Sequence, residues 1–131
     1  MTSAELKTLR EALGLSVAWV AACAGVQRRT VEYWEAGRMA VPADVEKTIR
    51  AIDFQFNHAA NQALAVAIEN RDKYGKPTTI DIRRYRTDEA LWAAVTDMYG
   101  FPVTAHAALL DRSRRLLELH GFVVTINYAD N

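Results

Sequence analysis

Apolar residues recur at helical spacing through most of this chain. Thr2 and Glu5 form a Thr-x-x-Glu capping box at a helix start, and Leu6, Leu9 and Leu13 then mark a buried stripe that Gly14 ends. Ser16 can cap a second helix, with Ala18, Val20, Ala21 and Ala24 on its inner face. Gly25 supplies a residue that tolerates positive φ at a tight corner. After Val26, Gln27 precedes a third helix with Val31 and Trp34 inward, and that helix stops near Gly37. Pro42 marks a fresh start, because proline is tolerated in a helix's first turn. From Ala43 to about Tyr74 no glycine or proline intervenes, and Val45, Ile49, Ile52, Phe56, Ala59 or Ala60, Ala63 and Ala67 recur every three or four residues. This pattern predicts one long helix. It exceeds what a small domain needs for its own core, so its far half must pack on a second module or another subunit.

Gly75-Lys76-Pro77 breaks the long helix. Thr78 to Tyr85 then alternates Thr79, Asp81 and Arg83 with Ile80 and Ile82, the pattern of a half-buried strand. Thr87 or Asp88 caps a helix carrying Leu91, Trp92, Val95 and Met98 up to Gly100. Thr104 caps another, with Leu109, Leu110, Leu116, Leu117 and Leu119, ended by Gly121. Phe122 to Tyr128, rich in Val, Thr and Ile, reads as a second strand. The fold class expected is mainly α: an N-terminal helix-turn-helix bundle over residues 1–55, a long helix continuing to about 74, and a small α+β module over 76–131.

Composition narrows the class without naming it. Half of the 131 residues are hydrophobic and 24% are charged, as in an ordinary globular protein. No apolar run approaches the roughly 18 residues that span a bilayer, and the N-terminus lacks the apolar core of a signal peptide. Cys23 is the only cysteine, so no internal disulfide forms and a cytoplasmic setting is expected. The 16 basic residues balance 16 acidic ones, and up to Gln55 the tally is seven of each. Indiscriminate polyanion binding therefore lacks its long-range attraction. Local clustering can still serve a specific site.

Such a cluster lies on the third helix. It buries a thin stripe and presents Arg28, Arg29, Glu32 and Tyr33 outward, side chains well suited to hydrogen bonding in a DNA major groove. A guanidinium fork matches guanine O6/N7 or a phosphate. Two arginines at a helix N-terminus oppose the positive end of the dipole, which points to an anionic partner. Tyr33 can meet a thymine methyl or a phosphate, Glu32 can accept from cytosine N4, and Thr30 can reach a phosphate. Solvated arginines, an intrahelical partner for Glu32 and a packing role for Tyr33 are the structural alternatives.

Residues Leu13 to Pro42 resemble the helix-turn-helix of XRE (Cro/CI-type) repressors. The run Tyr33-Trp34-Glu35-Ala36-Gly37-Arg38, followed by Ala40-Val41-Pro42 and Asp44-Val45-Glu46, is similar to the anti-CRISPR-associated and YdiL-like bacterial repressors. The resemblance puts Gln27 at the cap of the recognition helix. It puts Arg28, Arg29 and Tyr33 where bases are commonly read, and Arg38 where a phosphate contact is common. Val17 stands where the wider pattern often carries Gln or Glu. It implies a homodimer on double-stranded DNA with an inverted-repeat operator, half-sites about 34–36 Å apart or a multiple of that, in a bacterial or phage-encoded protein. The second module would then be a dimerisation domain, with Trp92, Phe101 and Phe122 as interface anchors.

Trp19 occupies a position that is usually exposed and charged in that pattern, so a covering surface is expected, either the C-terminal module or a partner subunit. Nothing near Cys23 in sequence would lower its pKa, which reads as an inert thiol. His58, His106 and His120 match no metal-ligand spacing, so no metal or cofactor is expected. No phosphate loop, nucleophile elbow or carboxylate pair is present, and the chain is not read as an enzyme; a nuclease is the weakest rival. Arg83-Arg84-Tyr85-Arg86 and Arg112-Ser113-Arg114-Arg115 are interspersed with acids and read as solvated surface, with RNA binding as the alternative. The function expected is a sequence-specific, autoregulatory repressor. The alternative is an antitoxin-type or adaptor protein whose C-terminal module binds a toxin-like partner.

Overall fold

The computed structural model describes residues 1–75 and 78–129, so Lys76 and Pro77 of the expected helix break lie outside the described residues. The chain divides into two compact units, Met1–Gln55 and Phe56–Asn131. In the first, α1 (Ser3–Ala12), α2 (Val17–Ala24) and α3 (Arg28–Glu35) precede the start of α4 (Ala43–Tyr74). Thr2 and Glu5 close the capping box, with the Glu5 N–H donating to Thr2 Oγ1 at 3.0 Å and the Thr2 N–H to Glu5 Oε1 at 3.3 Å. Ser16 caps α2 through the Trp19 N–H. Gly25 ends it in the left-handed region at φ 69°, where the Val26 N–H turns back to the Ala21 carbonyl. Leu6, Leu13, Leu15, Val20, Ala21, Val31, Trp34, Val45, Ile49 and Ile52 form the buried core of this unit. Leu9 is only half-buried, Ala24 likewise, and Ala18 is exposed rather than inward. The sequence of α2, VAWVAACA, has no polar residue, so its pattern carries no phase.

In the second unit the long helix α4 is continuous, as its uninterrupted pattern requires. Its buried positions here are Phe56, Ala60 and Ala67, with Leu64 and Ile68 partly buried beside them. Ala59 and Ala63 face solvent, because the stripe advances by four residues from Phe56 to Leu64. The strands β1 (Thr79–Arg84) and β2 (Val123–Tyr128) pair in parallel, Thr79 opposite Val123 and Arg84 opposite Tyr128. Parallel neighbours need a crossover. Here it is made by α5 (Asp88–Ala94), a 3₁₀ turn at Thr96–Met98 and α6 (Val103–Leu119).

Helix α5 therefore stops at Ala94, short of the expected Gly100. Its cap is Thr87, whose hydroxyl accepts from the Ala90 N–H. Helix α6 starts one residue before the expected cap: Pro102 is the N-cap, Thr104 lies inside the helix, and the Asp88 carboxylate accepts the Val103 N–H at 2.8 Å. A cap supplied from another helix has no local signature. Ala67, Leu117 and Phe122 form a buried cluster on which Ile80, Ile82 and Val124 pack from the sheet.

Candidate nucleic-acid interface

Helix α3 owes its position to what it buries. Val31 and Trp34 are in the core of the first unit, and the face that remains, Arg28, Arg29 and Glu32, is exposed. Thr30 and Tyr33 flank that face half-buried. Gln27 has the extended backbone of an N-cap and its carbonyl accepts the Thr30 N–H at 3.0 Å, but its side chain makes no capping bond. The amide is therefore free to reach outward. No acidic residue stands in the first turn of α3, so the positive dipole end and two guanidiniums share one surface.

At the other end the chain folds back over the helix. The Arg38 N–H donates to the Tyr33 carbonyl at 2.9 Å, and the Arg38 guanidinium lies over the Tyr33 ring, 5.5 Å from its centroid. This return passes through Gly37 at φ 79°, where an added Cβ would meet Ser3 Oγ at 3.3 Å. The sequence-predicted residues are thus brought together on one element: Gln27, Arg28 and Arg29 at its start, Thr30 and Glu32 along it, Tyr33 and Arg38 stacked near its end.

Three of the seven carboxylates of this unit are engaged with other cations. Glu35 accepts two bonds from Arg10, Nε–Oε2 at 2.6 Å and Nη2–Oε1 at 2.9 Å, and Arg10 also donates to the Leu15 carbonyl at 3.0 Å. This pair locks α1 to the C-terminal end of α3, and spacing in the sequence does not reveal it. Glu5 and Glu46 both hold Arg50, at 3.0 and 2.9 Å. Among the described residues no ion pair engages Arg28, Arg29 or Arg38. Zero net charge therefore coexists with a surface on which three arginines outside any described ion pair stand beside Glu32.

Trp19 is half-buried, and it lines a recess with Cys23, Asp44, Val45 and Thr48. The first turns of α4, within the same unit, supply part of its cover. Cys23 is exposed. In the second unit Trp92 donates its Nε1–H to the Phe101 carbonyl at 2.7 Å, Phe101 rests against Phe56 with centroids 6.0 Å apart, and Phe122 is in the core. Arg83 pairs with Asp81, and Arg114 and Arg115 with Asp111. Among the described residues no group of three His, Cys, Asp or Glu side chains could hold a metal ion. No helix of the described residues is long and apolar enough to cross a membrane.

These features are those of a helix-turn-helix in the N-terminal part of the chain. Residues 3–58 match the helix-turn-helix domain family. Within that N-terminal part, a stretch of 48 residues is 48% identical to the Aca2 repressor of Pectobacterium phage ZF40, covering 36% of this chain and 41% of the phage protein.

Proposed function

We propose that this protein is a sequence-specific transcriptional repressor that binds an inverted-repeat operator as a homodimer and acts on its own operon. The observation that carries the reading is the exposed start of α3, where Arg28 and Arg29 stand at a helix N-terminus with no acidic residue in the first turn and no ion pair among the described residues. In this reading Arg28 and Arg29 read base edges, with Thr30, Glu32 and Tyr33 beside them, while Gln27 and Arg38 hold phosphates. The family match and the repressor relative support it. A single recognition helix makes few phosphate contacts, so two copies related by a two-fold supply the affinity. The second unit carries the dimer contact; Trp92 and Phe101 are half-buried at its surface, and Phe122 supports it from the core. Repression follows from occlusion of a promoter that overlaps the operator.

The test is a fluorescence-anisotropy titration against DNA upstream of the gene, with random DNA as competitor and at two salt concentrations. Replacing Arg28 or Arg29 by Ala should cost about 1–3 kcal/mol at the specific site and relax its sequence preference. Absence of any preference over random DNA, or equal loss on both DNAs, overturns the reading.

A further inference from the structure

The sheet of the second unit has two strands, in the order β1-β2, and no strand lies beyond β2 among the described residues. The bonding pattern settles what that edge offers. In a parallel ladder each residue sends its N–H and C=O to the same side, alternating along the strand. The Val123 N–H donates to the Thr78 carbonyl at 2.9 Å and the Ala129 N–H to the Arg84 carbonyl at 2.8 Å. Val123, Thr125 and Asn127 therefore face β1 with their backbone groups, and Val124, Ile126 and Tyr128 present theirs to the open edge.

Charge separates the two edges. Strand β1 carries Asp81, Arg83 and Arg84, whereas β2, Val-Val-Thr-Ile-Asn-Tyr, carries no charge and no proline. Free edges are ordinarily guarded by charge, proline or a bulge. The polar side chains of β2 are already held by β1: Asp81 accepts from Thr125 Oγ1 at 2.9 Å and Asn127 Nδ2 at 2.7 Å. By strand alternation Ile126 and Tyr128 share the face on which Val124 meets the core, yet they are 39% and 48% exposed.

We infer that the open edge of β2 pairs antiparallel with β2 of a second copy of this chain, giving a four-stranded sheet. The inference rests on the homodimer reading and names its contact. Using all three outward residues puts the two-fold axis at Ile126, opposite its own counterpart, with Val124 opposite Tyr128. No charges are opposed. The same construction on β1 would set Asp81 against Asp81, which is destabilising.

The register makes the test sharp. In the full chain with Cys23→Ser, a single Ile126→Cys substitution places two cysteines in a hydrogen-bonded antiparallel pair. Their Cα atoms would lie about 5.5 Å apart, within the roughly 4.4–6.8 Å that a disulfide bridges. Thr125→Cys places its pair on a diagonal, about 7–8 Å apart and out of reach. Mild oxidation should give a covalent dimer with Ile126→Cys and little with Thr125→Cys. Sedimentation of Ile126→Lys, with helical circular dichroism as the folding control, should show loss of the dimer. A wild-type dimer that fails to crosslink at 126, or crosslinks equally at 125, overturns the edge contact and leaves the homodimer standing. A wild-type monomer at the concentration that saturates DNA overturns both. Should Ile126→Lys unfold, the cysteine pair alone decides.

Discussion

The Arg10–Glu35 pair offers the most direct test of how α3 is held. Its two side chains are 11% and 8% exposed, and they meet through two charge-assisted bonds at 2.6 and 2.9 Å. Arg10→Met keeps the aliphatic stem but leaves the Glu35 carboxylate in the interior without its cation. Breaking a fully buried pair from one side costs about 3–5 kcal/mol. The residual exposure here argues for the lower end, and the Leu15 carbonyl loses a donor worth about 1 kcal/mol. The expected loss for Arg10→Met is therefore about 3–4 kcal/mol. Glu35→Gln still accepts one bond from Arg10, so it should lose about half as much.

Removing both charges tells the two components apart. In Arg10→Met/Glu35→Gln no charge is left stranded, so the double variant should be more stable than the sum of the singles by about 2 kcal/mol. Urea unfolding of the full chain, followed by circular dichroism and by hydrogen exchange of α1 and α3 amides, gives all four corners of the cycle. A loss below about 1 kcal/mol for Arg10→Met, or strictly additive singles, would refute the reasoning. The Arg10 guanidinium is engaged by Glu35 and the Leu15 carbonyl, so a fall in DNA affinity in this variant is expected to come through the helix it holds.

Three further outcomes follow from the same geometry. Gly25→Ala should lose about 1 kcal/mol in a thermal melt, because a Cβ at φ 69° meets no neighbour within 4 Å and the cost is backbone strain alone; Gly25→Asn should lose less. His106 is buried, and burial first, then the charge of Arg84, lowers its pKa below the usual histidine range. The unfolded chain takes this proton near pH 6.5 and the folded chain does not, so stability is complete above about pH 6.5. It then falls as pH drops, by at most about 1.4 kcal/mol per unit, until the folded pKa is passed. Comparing melts at pH 7.5 and 5.5 should show that difference shrink in His106→Gln. Arg38→Ala should weaken specific and random DNA alike and lower the salt slope by about 1, read from anisotropy titrations.

Elements whose apolar residues alternate with charges were legible in advance. Helix α3 shows Val31 and Trp34 between Arg28, Arg29, Glu32 and Tyr33, so both its buried stripe and its outer surface follow from spacing. The length of α4 follows from an unbroken pattern, and the residues of both strands from alternation or β-branching. Illegible were features made by residues distant in sequence. Asp88 caps α6 from 15 positions away and Arg10 meets Glu35 from 25, and neither leaves a periodic trace. The phase of α2 was also hidden, since a helix of only apolar residues looks the same from every side. Parallel pairing of β1 with β2 needed the crossover in space.

The balance of 16 acids against 16 bases looked like an argument against DNA. The structure gives it a different meaning. Glu35 is held by Arg10 beneath α3, and Glu5 and Glu46 are held by Arg50, so three of the acids in the first unit are neutralised close to their own sites. Arg28, Arg29 and Arg38 have no such partner among the described residues and sit along one helix and its return. A potential confined to one helix does little to attract polyanions from a distance, because fields of balanced charge cancel beyond a Debye length of about 8–10 Å. It acts only once the groove is already close. That arrangement favours discrimination over indiscriminate affinity, since the remainder of the chain carries the balancing negative charge and gives random DNA no attraction, while an operator gains the base contacts as well. Overall neutrality and three arginines outside any described ion pair, set along α3 and its return, are therefore two aspects of one specificity device.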